Sequence, residues 1–310
     1  MTYEQAYDLI RTRPARIGYY MGFDDLTDIH NEWLLKMIWS KGDLTMQAHR
    51  GSYKTSCDSL FLALSPIIRP TENILFLRKT DDDVAEVIAQ AQTMIRSEAM
   101  REIAKALTGE ELYLVKDTKN EIQTSLYSGI SGASQVLGLG IGASLTGKHA
   151  DKIVTDDIVN IKDRISRAER ERTKVMYQEL RNVLNRGGRF INTGTPWHKD
   201  DAFTMMSEPI KYDCYTTGLM TDEEIRHLQS TMSASLFAAN YQLRHIADEN
   251  AMFKDARFES DREKIYDGIC HIDAAYGGED STAFTVIAEK DGKLIVYGRK
   301  FAKHVDDCLD

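Results

Sequence analysis

The chain has 310 residues, 42% of them apolar and 28% charged, with 5 prolines against 20 glycines, which excludes a disordered or low-complexity polypeptide. At roughly 150 residues per domain the length accommodates about two domains, each able to bury its own core. The formal charge of −9, from 48 acidic and 39 basic side chains, excludes a uniformly basic nucleic-acid coat and leaves room for a local basic strip.

Cys57, Cys214, Cys270 and Cys308 are widely separated and form no CxxC pair, so neither a zinc ribbon nor a disulfide framework is indicated and a reducing compartment is the default. The N-terminus MTYEQAYDLI carries Glu4 and Asp8 where a signal peptide needs basic and then apolar residues. The longest purely apolar run, Leu60 to Leu64, is too short to span a bilayer. The expectation is a soluble, unexported chain.

The first forty residues read as helical, with Trp33, Leu34, Met37 and Ile38 on one face. Asp43 to Ala48 alternates like a short strand, HRGSYKTS forms a turn, and Ser56 to Ile68 resumes a helical rhythm. Ile74 to Leu77 is a fully apolar strand, followed by one long amphipathic helix from about Asp82 to Leu107. This alternation predicts an α/β fold around a mostly parallel sheet with covered faces. Ser128 to Gly147 is glycine-rich, after which Lys152 to Thr155 enters a strand ending in Asp156 and Asp157. A charged helix, about Asp163 to Leu184, leads to the strand Arg189 to Asn192, and helix is again expected from Thr221 to Ile246. A polar stretch reads as a linker over 248–267, dividing a first domain, 1–247, from a second, 268–310. In the second, Gly268 to Asp273, Ala283 to Glu289 and Lys293 to Phe301 read as strands, with a hairpin turn at Lys290 to Gly292.

Three segments carry chemistry. AHRGSYKT, Ala48 to Thr55, keeps the Lys-Thr pair of a phosphate-binding loop but lacks both framing glycines, replaced by Ala48 and Tyr53. In such a loop the amides of Arg50, Gly51, Ser52 and Tyr53 curl around phosphates, Lys54 meets the terminal phosphates and Thr55 meets magnesium, at a helix N-terminus that favours anions. A surface lysine in a strand-to-helix turn explains the same segment. About a hundred residues on, an apolar strand ends in two carboxylates: Asp156 suits a metal and Asp157 suits the attacking water. Paired aspartates at a strand end also serve as caps or turns. Third, RFIN runs into Thr193-Gly194-Thr195, placing Asn192, Thr193 and Thr195 at a sheet edge where they could sense a terminal phosphate; an ordinary loop before Pro196 is the alternative.

Taken together, these segments resemble the large subunit of tailed-bacteriophage terminase, the motor that packages DNA into a prohead. The resemblance covers nearly the whole chain. HRGSYKTS is similar to that family's deviant Walker A with its early arginine, here Arg50; HADKIVTDD to its Walker B; and INTGTPWHKDD to its coupling motif. The helix SRAERERTKVMYQEL and the segment FAANYQLRHIADENAMF are also similar. Tyr53 stands where the family usually has glycine, and Asp157 where many members have Glu; both bear on hydrolytic rate more than on nucleotide binding.

The resemblance implies a P-loop ATPase domain with the additional-strand (ASCE) sheet order, followed by the beginning of an RNase H-like nuclease domain. It implies magnesium-dependent ATP hydrolysis with Asp156, Asp157 and Arg50 as catalytic groups and Thr55 and Asp156 as magnesium ligands. The implied partners are double-stranded DNA, a small terminase subunit, the portal of the prohead and further copies of the chain in a ring, in the host cytoplasm with no membrane. Asp273, in HIDAAYGGEDSTAF, matches the first nuclease carboxylate, which would hold a divalent metal. The chain stops at Asp310, after three strands of that fold; Asp280, Asp306 and Asp307 are poor positional substitutes for the remaining ligands, so no independent nuclease activity is expected.

Between Lys162 and Arg189 nine Lys or Arg face four Asp or Glu, a strip that suits a phosphate backbone or a merely solvated helix. Arg164, Arg167 or Arg170 could instead reach a neighbouring subunit's nucleotide. His30, His149 and His198 show no metal-ligand spacing; the resemblance makes His30 to Trp33 an adenine contact, and an apolar helix face explains Trp33 equally well. Two rivals remain: a helicase-like ATPase of another P-loop family, and a degenerate remnant that binds partners without turnover.

Overall fold

The structure is a computed structural model and describes residues 1–244, 265–275 and 281–308. The chain separates into two compact units, Met1–Ala251 and Met252–Asp310. Most of the expected linker lies outside the described residues, as do Gly277, Gly278 and Asp280.

The first unit opens with three helices, α1 (Tyr3–Thr12), α2 (Ala15–Tyr19) and α3 (Asp28–Trp39). A capping box closes the start of α1, where Thr2 and Gln5 exchange side-chain-to-backbone hydrogen bonds. β1 (Leu44–Ala48) then leads through the loop 49–53 into α4 (Lys54–Ile68), and β2 (Ile74–Arg78) into α5 (Asp81–Arg96) and α6 (Glu98–Thr108). The single helix expected over 82–107 is two, because Ser97 takes extended backbone angles and its side chain accepts the Met100 N–H, ending one ladder and capping the next.

β3 (Leu114–Asp117), β4 (Glu121–Thr124) and β5 (Val136–Gly140) follow, then β6 (Ala150–Asp156). The charged helix expected over 163–184 is also two, α7 (Ile161–Ile165) and α8 (Arg167–Val183), with Ser166 capping the second through the Glu169 N–H. β7 (Leu184–Gly194) is longer than RFIN alone, and β8 (Ile210–Tyr212) was not expected. Within 221–244, helix forms as α9 (Asp222–Thr231) and α10 (Ala234–Asn240), separated at the Ser233 cap.

The eight strands form one sheet in the order β3-β4-β5-β2-β6-β7-β1-β8, parallel from β5 to β8 and antiparallel only at the β3-β4-β5 end. Successive side chains leave a strand on opposite faces, so each central strand feeds two cores. Phe76, Val154 and Ile191 join Leu60, Phe61 and Ile88 on the α4-α5 face. Leu75, Leu77, Ile153 and Phe190 join Tyr177 and Leu180 on the α8 face. This double burial explains the uninterrupted apolar run of β2.

In the second unit β9 (Ile269–Asp273), β10 (Thr282–Lys290) and β11 (Lys293–Phe301) form an antiparallel sheet ordered β11-β10-β9. Asp291 and Gly292 have φ of 54° and 67°, the two positive values that a tight two-residue hairpin needs. No helix among the described residues is long and apolar enough to cross a membrane.

Candidate functional site

The loop 49–53 joins a buried strand to a buried helix, and its curvature comes from two positive φ values, 78° at Gly51 and 58° at Tyr53. Tyr53 holds this angle with its hydroxyl on Asp25 Oδ2 at 2.9 Å and its ring edge-on to His30. The loop is tied down from behind: His49 N–H donates to Tyr212 O and Arg50 N–H to Asn240 O, at 3.1 and 2.9 Å. His30 Nδ1 accepts the Thr27 N–H at 2.8 Å, so its Nε2 carries the proton and donates to Ser52 O at 2.9 Å. Among the described residues the amides of Gly51, Tyr53, Lys54 and Thr55 have no backbone acceptor, and the buried Ser52 hydroxyl has no partner. Arg50 is exposed on the same loop.

Lys54 and Thr55 open α4 and meet the carboxylates that end β6. Thr55 Oγ1 donates to Asp156 Oδ2 at 3.0 Å, and Lys54 Nζ stands 3.3 Å from Asp157 Oδ2. Asp157 leaves the strand with a φ of 46°, its other oxygen fixed by the Thr195 N–H at 3.2 Å. A Cβ at Gly194 would lie 3.2 Å from that oxygen and 3.1 Å from Phe203 Cζ, so the glycine makes room for the carboxylate.

The third segment splits by face. Register pairs Asp156 with Thr193 and Thr155 with Asn192. Thr193 therefore shares the α4 face with Asp156, its hydroxyl 3.1 Å from Asp156 Oδ1 and 2.8 Å from Asp58 Oδ2. Asn192 points to the α8 face, bonded to Thr155, Thr45 and Tyr177, and is not brought to Lys54. Thr195 Oγ1 donates to Ala48 O at 3.1 Å, fixing the start of the 49–53 loop to the end of β7.

Two groups that sequence reasoning missed complete the cluster. Asp58, one turn into α4 and fully buried, faces Thr193; a lone carboxylate within the apolar stretch CDSLFLAL was its signal. Arg78, the charge that ends the apolar run of β2, places Nε 3.0 Å from Asp156 Oδ2 and a terminal nitrogen 3.9 Å from Asp157 Oδ2. Burial, and then the neighbouring Asp156 charge, push the Asp58 carboxyl well above the ordinary range. Burial and the Asp157 charge likewise raise Asp156, against the pull of Arg78, Lys54 and Thr55.

The basic strip is only partly available. Arg189 is buried against the Met37 and Gly42 carbonyls, Arg164 bonds Ser235 and Arg170 bonds the Asp163 carbonyl. Lys162, Arg167, Arg172, Arg181 and Arg186 remain exposed. Trp33 is buried in the core, as an apolar helix face requires. Asp273 is exposed on β9, and no group of three or more His, Cys, Asp or Glu side chains among the described residues could hold a metal.

A lysine-threonine loop after β1, aspartates at the end of β6, and β7 running between those two strands place the candidate site at one edge of a mostly parallel α/β sheet. No protein-family profile matches the chain, and no curated protein matches it. Among solved structures it is similar to the large terminase of bacteriophage HK97, at 10% identity over 93% of this chain and 68% of that one, with a TM-score of 0.49. It is also similar to the large terminase of a thermophilic bacteriophage in complex with ATP-gamma-S, at 11% identity over 89% and 70% of the two chains, TM-score 0.48. A third is the large terminase ATPase domain of Thermus phage P74-26, at 13% identity over 69% and 92%, TM-score 0.44.

Proposed function

We propose that this chain is an ATP-hydrolysing motor subunit of the terminase class that drives double-stranded DNA into a prohead. The observation that carries the ATPase reading is the meeting of Lys54 with Asp157 and of Thr55 with Asp156 across an intervening strand. A free hydroxyl at Ser52 and four unspent amides at a helix N-terminus fit a triphosphate, an anion rich in acceptors.

Thr55 and Asp156 are the residues that would hold magnesium, which when bound supplies positive charge to the phosphates. Lys54 and the loop amides bind the phosphates, and Arg50 reaches towards the terminal one. Asp157, oriented by the Thr195 N–H, accepts a proton from the attacking water at Oδ2. Thr193 senses the outcome through its hydroxyl between Asp58 and Asp156, with Asn192 and Thr195 positioning β7 behind it. Lys162, Arg167 and Arg172 offer DNA a sequence-independent phosphate contact.

We assign 1–247 to the ATPase domain, 248–267 to a linker and 268–310 to the start of an RNase H-like domain with Asp273 as its first metal ligand. The partners in this reading are a small terminase subunit, the portal and a ring of further copies, in the host cytoplasm.

Steady-state phosphate release with magnesium, with and without duplex DNA, tests the reading. Lys54→Ala and Asp157→Asn should each lose at least about 100-fold in turnover, and DNA should stimulate the unsubstituted chain. ATPγS binding without turnover would establish a binding-only remnant, and duplex unwinding a helicase. Absence of both binding and hydrolysis would overturn the ATPase reading.

A further inference from the structure

Arg78 is the largest charged group at the site that no motif accounts for. It sits at the end of β2, where its carbonyl accepts the Ile141 N–H at 2.8 Å and fixes the backbone. Its side chain is 15% exposed and aimed at the two aspartates, with Nη1 donating to Asp83 O at 3.3 Å. Although Arg78 Nε lies 3.0 Å from Asp156 Oδ2, it is poorly aligned and buried without a hydrogen bond. The guanidinium neutralises the carboxylates here but does not satisfy its own fork.

The same oxygen of Asp157, Oδ2, faces both Arg78 and Lys54, at 3.9 and 3.3 Å. An oxygen that must take a proton from water is thus held between two cations. A triphosphate would offer both cations a more highly charged acceptor, and guanidinium geometry matches phosphate oxygens two at a time.

We propose that Arg78 is a second phosphate-binding cation of this site, paired with Lys54, and that the terminal phosphate of a nucleoside triphosphate draws both cations away from Asp157. The proposal rests on the ATPase reading and deepens it. Asp157 Oδ2 faces both cations while the terminal phosphate is absent and is released from them when it is present, so its availability to water is tied to the triphosphate state. A diphosphate lacks the group that recruits Arg78 and leaves that cation on Asp157.

Calorimetric titration of ATPγS and of ADP, each with magnesium, reads this without turnover. The unsubstituted chain should prefer ATPγS. Arg78→Gln should lose about 10- to 100-fold in ATPγS affinity, the scale of one charge-assisted contact, and less than about threefold in ADP affinity. Lys54→Ala should weaken both nucleotides. Arg78→Lys keeps the charge against Asp156 and covers a failure of the glutamine variant to fold; without the fork it should lose part of the triphosphate preference and keep the ADP affinity. An unchanged preference in either Arg78 variant, or an equal loss for both nucleotides, overturns the proposal and leaves the ATPase reading standing. Binding of neither nucleotide by the unsubstituted chain overturns both.

Discussion

Thr193 carries one hydroxyl hydrogen between two buried carboxyl groups, 2.8 Å from Asp58 and 3.1 Å from Asp156. Thr193→Val keeps the shape and removes the hydroxyl. Asp58 Oδ1 already has no partner, so the substitution strips the whole carboxyl of hydrogen bonds in a site with no solvent access. Leaving such a group buried and unsatisfied costs about 1–3 kcal/mol. For a unit of this size that is a fall of about 2 to 12 °C in the melting temperature of the nucleotide-free chain at pH 7. Thr193→Ser keeps the hydroxyl and loses one buried methyl, about 0.8 kcal/mol. Replacing both partners, as Thr193→Val with Asp58→Leu, should recover part of the loss, because the Asp58 carboxyl is then no longer buried alone, while Asp156 loses the hydroxyl from Oδ1 and keeps Thr55 and Arg78 at Oδ2. A valine variant as stable as the serine variant would refute the shared-hydroxyl account. Asp58 adds a pH signature. In the folded chain its carboxyl is raised, so it keeps a proton that the unfolded chain releases, and stability falls as the pH rises above the ordinary carboxylate range towards the folded pKa. Asp58→Asn should flatten that part of the stability-pH curve.

On the acid side, burial lowers His30, whose Nδ1 must stay unprotonated to accept the Thr27 N–H. Its stabilising contribution is present above the ordinary histidine pKa of 6.5 and declines as the pH falls through 6.5 towards the lower folded value; denaturation between pH 5 and 8 should show this slope reduced in His30→Gln, with His49 and His198, also lowered by burial, contributing in the same window. In β5 a Cβ at Gly138 would fall on Val84 Cγ1 and 3.1 Å from Ile88 Cγ1. Gly138→Ala should therefore cost about 1–3 kcal/mol by denaturant titration, while Gly132→Ala, with nothing within 4 Å, should be neutral; equal stability of the two variants would contradict the close packing of α5 on β5.

Legibility followed from how each feature is encoded. The β2 run ILFL is uninterrupted because both faces are buried, so composition alone reveals it. Ser97, Ser166 and Ser233 are different: each stands in an amphipathic run where serine also fits a solvated helix face, and only the extended backbone at that residue makes it a cap. β5 was hidden by its own glycines, since VLGLG owes Gly138 to the helix lying on it and Gly140 to the start of α5, contacts far away in sequence. β3 and β4 are four residues each and only partly buried, too short for period-two alternation to stand out. At the site, motif order found Lys54, Thr55, Asp156 and Asp157. Arg78 and Asp58 reach them only through the strand order and the helix turn, which no local pattern prints.

The parity of β7 and the curvature of the 49–53 loop make the same physical point. Strand alternation lets only one of Asn192 and Thr193 face α4, and the register Asp156 to Thr193 decides which. The loop lacks the framing glycines of a phosphate-binding turn, with Ala48 and Tyr53 in their places. Yet curvature is a property of backbone angles, and Tyr53 reaches a φ of 58° as a glycine would. For a residue with a Cβ that angle costs about 1–2 kcal/mol, and the hydroxyl bond to Asp25 with the ring edge on His30 is of a size to offset it. Tyrosine in this position therefore couples the loop's curvature to the segment before α3, a dependence that a glycine loop would not have.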